Sequence, residues 1–140
     1  MTTKQYLCQI ENLDKYVKNK LLEKCQLRSL SVSIRSTMPN GDRVQQSPKK
    51  DPMGDIIAKL DELDREIENT ISNYLEIRKE IISTIEKLEN TLYYDILYKK
   101  YVEYKNLIEI ADEIGYSVQH VRFCHTKALE EVRKIKGFKS

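Results

Sequence analysis

A long series of apolar residues at gaps of three or four runs through the middle of the sequence. It starts shortly after Asp55, and its members are Leu60, Leu63, Ile67, Ile71, Tyr74, Ile77, Ile81, Ile85 and Leu88. A spacing close to 3.5 residues over this length is typical of one helix in a coiled coil or a helical hairpin. Because such a helix gains most of its stability by burying the apolar stripe, it requires a partner, either the first helix of the same chain or a second copy.

The N-terminal segment has a similar pattern and predicts an amphipathic helix in residues 1–35. Its stripe consists of Tyr6, Ile10, Leu13, Val17, Leu21 and Cys25. Residues 36–54 hold all three prolines and two of the four glycines, so they are predicted to be a flexible linker. The long helix then occupies residues 55–90, with Asp51 or Asp55 as its N-cap. Together these segments predict an all-α protein that begins with a helical hairpin.

Composition excludes several classes of protein. The chain is 40% hydrophobic and 33% charged and has no tryptophan, which suits a soluble, helix-rich protein. No apolar run approaches the roughly 20 residues of a membrane span, and charged and amide residues interrupt the N-terminus, so we expect a cytoplasmic protein without a signal peptide. Three scattered cysteines, and two histidines five residues apart, predict no disulfide framework, metal site or cofactor.

The charge is unevenly distributed along the chain. Residues 1–54 carry ten basic and five acidic side chains, whereas residues 55–90 carry five basic and ten acidic ones. Residues 91–140 carry nine basic and seven acidic side chains. Within the last segment, residues 117–140 hold six basic and two acidic side chains, a local charge of +4. A basic end beside an acidic middle indicates a polyanionic partner that one end of the molecule contacts.

Residues 91–140 have the pattern of a helix-turn-helix domain. A third helix, with Leu92, Ile96, Leu97 and Tyr101 on one side, is expected to end near Tyr104. Asn106 and Glu109 then form a capping-box pattern, and Gly115 favours the end of a short helix. Ser117 is the expected N-cap of a longer last helix, in which Val121, Cys124, Ala128, Leu129 and Val132 face inward. Two helices joined by a tight glycine turn are typical of the helix-turn-helix.

In such a unit the first turns of the second helix enter the major groove of DNA. The residues predicted to read bases are Val118, Gln119, Arg122 and Phe123. Glutamine pairs with adenine, arginine pairs with guanine, and an apolar side chain contacts the thymine methyl group. The residues predicted to contact phosphates are Ser117, His120, His125, Thr126, Lys127, Lys99, Lys100 and Lys105.

The last 50 residues resemble the promoter-binding fourth region of sigma factors. The likeness rests on the segments 108–111 (Ile-Glu-Ile-Ala), Gly115, Ser117 and 127–129 (Lys-Ala-Leu). The whole layout is also similar to small phage and prophage transcriptional regulators of the autolysin-regulator type, through residues 51–54 (Asp-Pro-Met-Gly) and 116–121. The resemblance implies control of phage late genes, with host RNA polymerase as a partner. Val118 and His120 stand where sigma factors often have arginine.

The leading hypothesis is therefore a sequence-specific DNA-binding regulator of phage transcription. One helix-turn-helix makes few base contacts, so we expect a homodimer, formed through helices 4–30 and 55–90, on two half-sites. Two alternatives are a DNA-packaging protein of the small-terminase kind and a helical adaptor that binds protein only. The sequence has no phosphate-binding glycine loop, metal-ligand cluster or paired nucleophile and base, so we do not expect an enzyme.

Overall fold

The computed structural model describes residues 1–37 and 51–138, and every regular element among them is helical. The α-helices are α1 (Thr3–Thr37), α2 (Pro52–Glu86), α3 (Thr91–Leu97), α4 (Leu107–Ile114) and α5 (Val118–Lys136), and a π-helical turn (Tyr98–Val102) continues α3. The predicted all-α class is confirmed. Within the described ranges, no helix is both long and apolar enough to pass through a membrane.

Helix α2 begins earlier than the sequence pattern indicates. Asp51 is its N-cap: one carboxylate oxygen accepts a hydrogen bond from the Gly54 backbone N–H at 3.0 Å. Pro52 occupies the first helical position, where a missing N–H costs nothing. Residues 52–54 therefore belong to the helix and not to the predicted linker, and residues 38–50 of that linker lie outside the described part of the chain.

The chain divides into two compact units. One, which we call the terminal unit, comprises Met1–Asp14 and Asn73–Ser140, and the other, the hairpin unit, comprises Lys15–Ser72. The division differs from the predicted domains, because the first 14 residues join the C-terminal segment and α1 and α2 each contribute to both units. The predicted domain of residues 91–140 is thus only part of a larger unit.

The first residues of α1 are buried in the core of the terminal unit. Tyr6, Leu7 and Ile10 pack in one cluster with apolar side chains of α2, α3, the π-helical turn and α5. The other buried members of this cluster are Ile81, Ile85, Leu88, Leu97, Tyr101, Ala128 and Val132. Leu7, which the predicted stripe leaves out, is completely buried. The N-terminal segment is therefore a structural element of the C-terminal unit.

Polar contacts also tie the first turns of α1 to distant parts of the terminal unit. The Tyr6 hydroxyl lies 3.0 Å from the Thr84 hydroxyl and donates to Glu80 at 3.3 Å. Glu80 also accepts from the Lys136 ammonium at 2.7 Å. Burial raises the pKa of Tyr6, which keeps its hydroxyl protonated and able to donate.

In the hairpin unit α1 and α2 run antiparallel. Side-chain contacts join Tyr16 and Lys20 to Glu66, Lys24 to Asp64, and Ser31 to Met53. Residue numbers therefore increase along α1 as those of the contacted residues decrease along α2. The buried apolar side chains described in this unit are Val17, Ile56, Leu63 and Ile67. Leu21 and Cys25, which the predicted α1 stripe places inside, are exposed. The hairpin therefore has a thin core.

Candidate nucleic-acid interface

Helix α4 begins at the capping box that the sequence predicts. The Asn106 side chain accepts a hydrogen bond from the Glu109 backbone N–H at 2.8 Å, and the Glu109 carboxylate accepts from the Asn106 N–H at 3.3 Å. Gly115 ends the helix in the left-handed conformation, with φ of 78°, which glycine adopts without steric cost. Two local sequence signals thus fix both ends of α4.

A three-residue turn, residues 115–117, separates α4 from α5. The Ser117 hydroxyl accepts a hydrogen bond from the His120 backbone N–H at 3.1 Å and so caps α5. A small apolar cluster holds the two helices against α3, and its buried members are Ile96, Ile110, Ala111, Val121 and Cys124. The inward positions predicted for the first half of α5, Val121 and Cys124, are therefore confirmed, and they fix the outward direction of its remaining side chains.

We expect replacement of Asn106 with alanine to lower the free energy of unfolding by about 1 kcal/mol, because the capping box then loses its acceptor. Urea unfolding followed by circular dichroism measures this loss. Asn12→Ala, at an exposed position inside α1, is the matched control and should change stability little. Equal effects of the two substitutions would contradict a capping role.

Three of the four residues predicted to read bases lie exposed on the first turns of α5. Gln119, Arg122 and Phe123 all face solvent. The side chains of Gln119 and Arg122 make no hydrogen bond or ion pair within residues 1–37 and 51–138, and the Phe123 ring is 57% exposed. Polar donors at these positions can reach base edges without first breaking an internal contact.

Val118 occupies a different position from the other three. Its side chain is half-buried and packs against the cluster between α3, α4 and α5. Only part of its surface is left to contact a thymine methyl group, because the rest anchors the start of α5. Base reading by Val118 therefore stays a prediction.

His125 is in the core of the terminal unit and not on the surface. Its side chain is 6% exposed, and its Nε2 lies 2.8 Å from the hydroxyl of the buried Tyr101. Burial lowers the pKa of His125 from 6.5 to about 4, so the ring is neutral near pH 7. The prediction of a phosphate contact by His125 is therefore wrong, because a buried neutral ring neither reaches nor attracts a phosphate.

Two of the predicted phosphate-binding lysines are already paired with a carboxylate. Lys99 and Lys105 lie 2.8 and 2.7 Å from the two carboxylate oxygens of Glu113, and Lys105 also lies 3.0 Å from Glu103. The hydrogen bonds from Lys105 and Lys99 lower the pKa of Glu113 to about 2. A DNA phosphate would have to compete with Glu113 for both lysines, which the sequence pattern does not reveal. Lys100, half-buried, lies over the Tyr101 ring at 5.6 Å from its centroid.

The remaining predicted phosphate contacts lie on the exposed side of α5 and the turn. Ser117, His120, Thr126 and Lys127 are all exposed. The Lys127 ammonium lies 5.6 Å from the centroid of the Phe123 ring and 3.8 Å from Glu130, contacts that are weak at an exposed position. The Ser117 hydroxyl is already used as the cap of α5.

The sequence prediction omits one exposed aromatic residue of the turn. The Tyr116 ring stacks on His120 with centroids 5.1 Å apart, and it is exposed beside the first turn of α5. A stacked tyrosine and histidine at this position extend the polar surface around Gln119 toward α4. Its position between a C-cap glycine and an N-cap serine is the signal that could have identified it.

Comparisons of this chain with protein-family models, with curated proteins and with solved structures found no match.

Proposed function

We propose that this protein is a sequence-specific DNA-binding regulator in which the first turns of α5 read the major groove. The observation that carries the proposal is the exposure of Gln119 and Arg122, without internal partners among the described residues, at the start of a capped helix that a three-residue turn joins to α4. Amide and guanidinium groups in this position bind adenine and guanine in a bidentate manner.

The electrostatics of α5 support the same proposal. Arg122 and Lys127 are exposed on its leading half, and Arg133 and Lys134 lie in its last turn, where Lys136 is paired with Glu80. Because Lys99 and Lys105 are paired with Glu113, we expect phosphate contacts mainly from α5 and Lys100. The salt dependence of affinity should therefore correspond to only a few released counterions.

The resemblance to sigma region four and to small phage regulators extends the proposal to a biological role. We propose that the target sites lie upstream of phage late genes and that host RNA polymerase is a partner. A single reading helix gives few base contacts, so we also propose that a second copy of the chain contacts a second half-site. Footprinting on DNA of the source prophage would report both the site and its symmetry.

The test of base reading is selection of bound duplexes from a random-sequence library, followed by anisotropy titrations on the selected site. Arg122→Ala and Gln119→Ala should each weaken binding by about 1–3 kcal/mol, because a bidentate base contact is lost. Neither change should affect the unfolding midpoint, because both side chains are exposed.

Arg65→Ala and Gln26→Ala are the matched controls for these titrations. Both residues are exposed and belong to the hairpin unit, whereas α5 belongs to the terminal unit. Unchanged DNA affinity in both α5 variants would overturn the proposed base reading, and so would equal losses in the control variants.

A helical adaptor that binds only protein is the second candidate function. The exposed apolar side chains Ile108, Tyr116 and Phe123 on the α4–α5 segment favour it, because such groups are common at protein interfaces. DNA affinity that falls steeply as salt rises would argue against the adaptor, because only phosphate contacts release condensed counterions.

A further inference from the structure

The hairpin unit exposes more large apolar side chains than it buries among the residues described. Val17, Ile56, Leu63 and Ile67 are buried, whereas Tyr16, Leu21, Leu22, Leu30, Val32, Ile57 and Ile71 are exposed. Two helices with so few buried contacts gain little free energy from packing on each other. The exposed side chains thus need a partner surface, and their positions decide where it lies.

The ion pair between Lys24 and Asp64 identifies one side of the hairpin unit. On α2, Ile57, Asp64 and Ile71 are seven residues apart, so they lie in one line along the helix. Both isoleucines are exposed, and Asp64 is half-buried between them.

On α1, Leu21 and Arg28 are also seven residues apart, with Lys24 between them. Leu21 and Arg28 are therefore on the side of α1 that carries Lys24 and faces the Asp64 line of α2. We call the surface formed by Leu21, Arg28, Ile57 and Ile71 the hairpin face. Tyr16, which contacts Glu66 and lies five residues before Leu21, marks the other side of the unit.

The two helices of the hairpin unit carry opposite charges. Residues 15–34 hold five basic side chains and one acidic, a net charge of +4. Residues 52–72 hold six acidic side chains and two basic, a net charge of −4. A second hairpin turned by a two-fold rotation places a basic helix against an acidic one twice, so the surface is complementary to itself in charge.

Charged residues on the hairpin face are available for contacts with such a partner. Arg28 on α1, and Asp61 and Glu68 on α2, are exposed and make no ion pair with any described residue. Asp61 and Glu68 lie between Ile57 and Ile71 at gaps of three and four, on the same stripe of α2. The face therefore combines an apolar pair at its ends with unpaired acidic groups between them.

We propose that the hairpin face binds the hairpin face of a second copy of this chain, with α1 of each copy against α2 of the other. In this two-fold arrangement Leu21, Ile57 and Ile71 are covered, and Arg28 of one copy lies near Asp61 and Glu68 of its partner. The contact turns two thin hairpins into a four-helix assembly with a shared apolar seam. The sequence-based expectation of a dimer through residues 4–30 changes accordingly, because residues 4–14 are used inside the terminal unit.

This inference deepens the proposed function, since two joined copies carry two reading helices, but its test requires no DNA. Light scattering and sedimentation of the full chain in reducing buffer should give twice the mass of one chain. Leu21→Glu should raise the dissociation constant of the dimer at least about 30-fold, because it places a carboxylate in the apolar seam. Circular dichroism should show that the terminal unit stays folded, because Leu21 is exposed and belongs to the hairpin unit.

Leu30→Glu is the matched control for Leu21→Glu. Leu30 and Leu21 are 49% and 46% exposed, and nine residues of α-helix place them on opposite sides of α1. The control should dimerise like the wild type. A wild-type chain that is monomeric at all concentrations, a larger ring, or equal effects of the two substitutions would overturn the proposal.

A mixing experiment tests the charge pairing between copies directly. Arg28→Glu alone, and Asp61→Lys with Glu68→Lys in a second protein, should each dimerise poorly because like charges then meet. Mixed, the two proteins should associate at least about 10-fold more tightly than either does alone, because both contacts are again complementary. No preference for the mixed dimer would overturn the proposed pairing of α1 with α2.

A dimer that does not bind DNA would overturn only the proposed function, and a DNA-binding monomer would overturn only the hairpin-face dimer.

Discussion

Replacing Leu7 with alanine is expected to lower the free energy of unfolding by about 2–5 kcal/mol, the usual cost of a cavity at a fully buried leucine. Leu7 is completely buried among side chains of α2, α3 and α5, so the cavity opens in the core that supports α5. Such a loss is a large share of the total stability of a small unit. Urea unfolding measures the loss, and amide exchange should show reduced protection in α5, more than 100 residues away along the chain.

The matched control is Leu22→Ala, in the same helix but in the hairpin unit. Leu22 is 57% exposed, so its truncation leaves no cavity and should change stability by less than about 0.5 kcal/mol. If Leu7→Ala left the exchange rates of α5 unchanged, the first residues of α1 would not be part of the core beneath that helix.

Lowering the pH from 7 to about 4.5 is expected to remove roughly 2–3 kcal/mol of stability through His125 alone. The pKa of His125 is lowered from 6.5 in the unfolded chain to about 4 in the folded protein by burial. Between these values the unfolded chain binds a proton that the folded protein does not, so stability falls as pH falls through this window. Urea midpoints at half-unit steps of pH measure the effect.

Two substitutions separate His125 from other titrating groups. His125→Gln should flatten the profile between pH 6.5 and 4, even though it also lowers stability by disturbing the hydrogen bond with Tyr101. His120→Gln replaces an exposed ring and should keep the slope. A profile equally steep in His125→Gln would show that another group is responsible. Glu113, whose pKa is lowered from 4.5 to about 2, contributes stability that is lost as pH falls below about 4.5, so it overlaps only the acid end of this window.

The parts of the fold that depend on short-range signals could be predicted from the sequence. Asn106, Gly115 and Ser117 form the caps expected of them, because capping depends on side chains within three or four residues. The long apolar series predicts α2, and Asp51 is one of its two expected N-caps, but the pattern leaves residues 52–54 in the linker because proline and glycine also favour turns. Composition alone does not distinguish a proline in the first turn of a helix from a proline in a loop.

The parts that depend on distant contacts could not be predicted. The apolar stripe of α1 does not reveal that its first third packs with the C-terminal segment while the rest packs with α2. Nor does it reveal that Leu21 and Cys25, at the end of this stripe, are exposed whereas Val17 is buried. The packing partner of each part of a helix depends on the surfaces of the other helices. Periodicity describes only the surface of one helix, so it does not identify that partner.

In the candidate interface, too, the features that depend on local signals could be predicted and those that depend on distant contacts could not. Gln119, Arg122 and Phe123 are exposed as expected, since their positions follow directly from the N-cap at Ser117. The polarity of histidine predicts a surface position for His125, but Tyr101, 24 positions earlier, supplies a buried hydrogen-bond partner. Lys99 and Lys105 are paired with Glu113, 14 and 8 positions later, and only tertiary structure brings these charges together.

The union of the two ends of the chain in the terminal unit has a consequence for how the protein folds. Tyr6 contacts Thr84, and Asp14 contacts Tyr104, across sequence separations of 78 and 90 residues. Helical proteins with mostly local contacts fold fast, but closing loops of this length before any contact forms slows the search. During synthesis the apolar side chains of Tyr6, Leu7 and Ile10 emerge well before α5, with which they pack. We therefore expect the nascent chain to depend on shielding of this segment until α5 has been made.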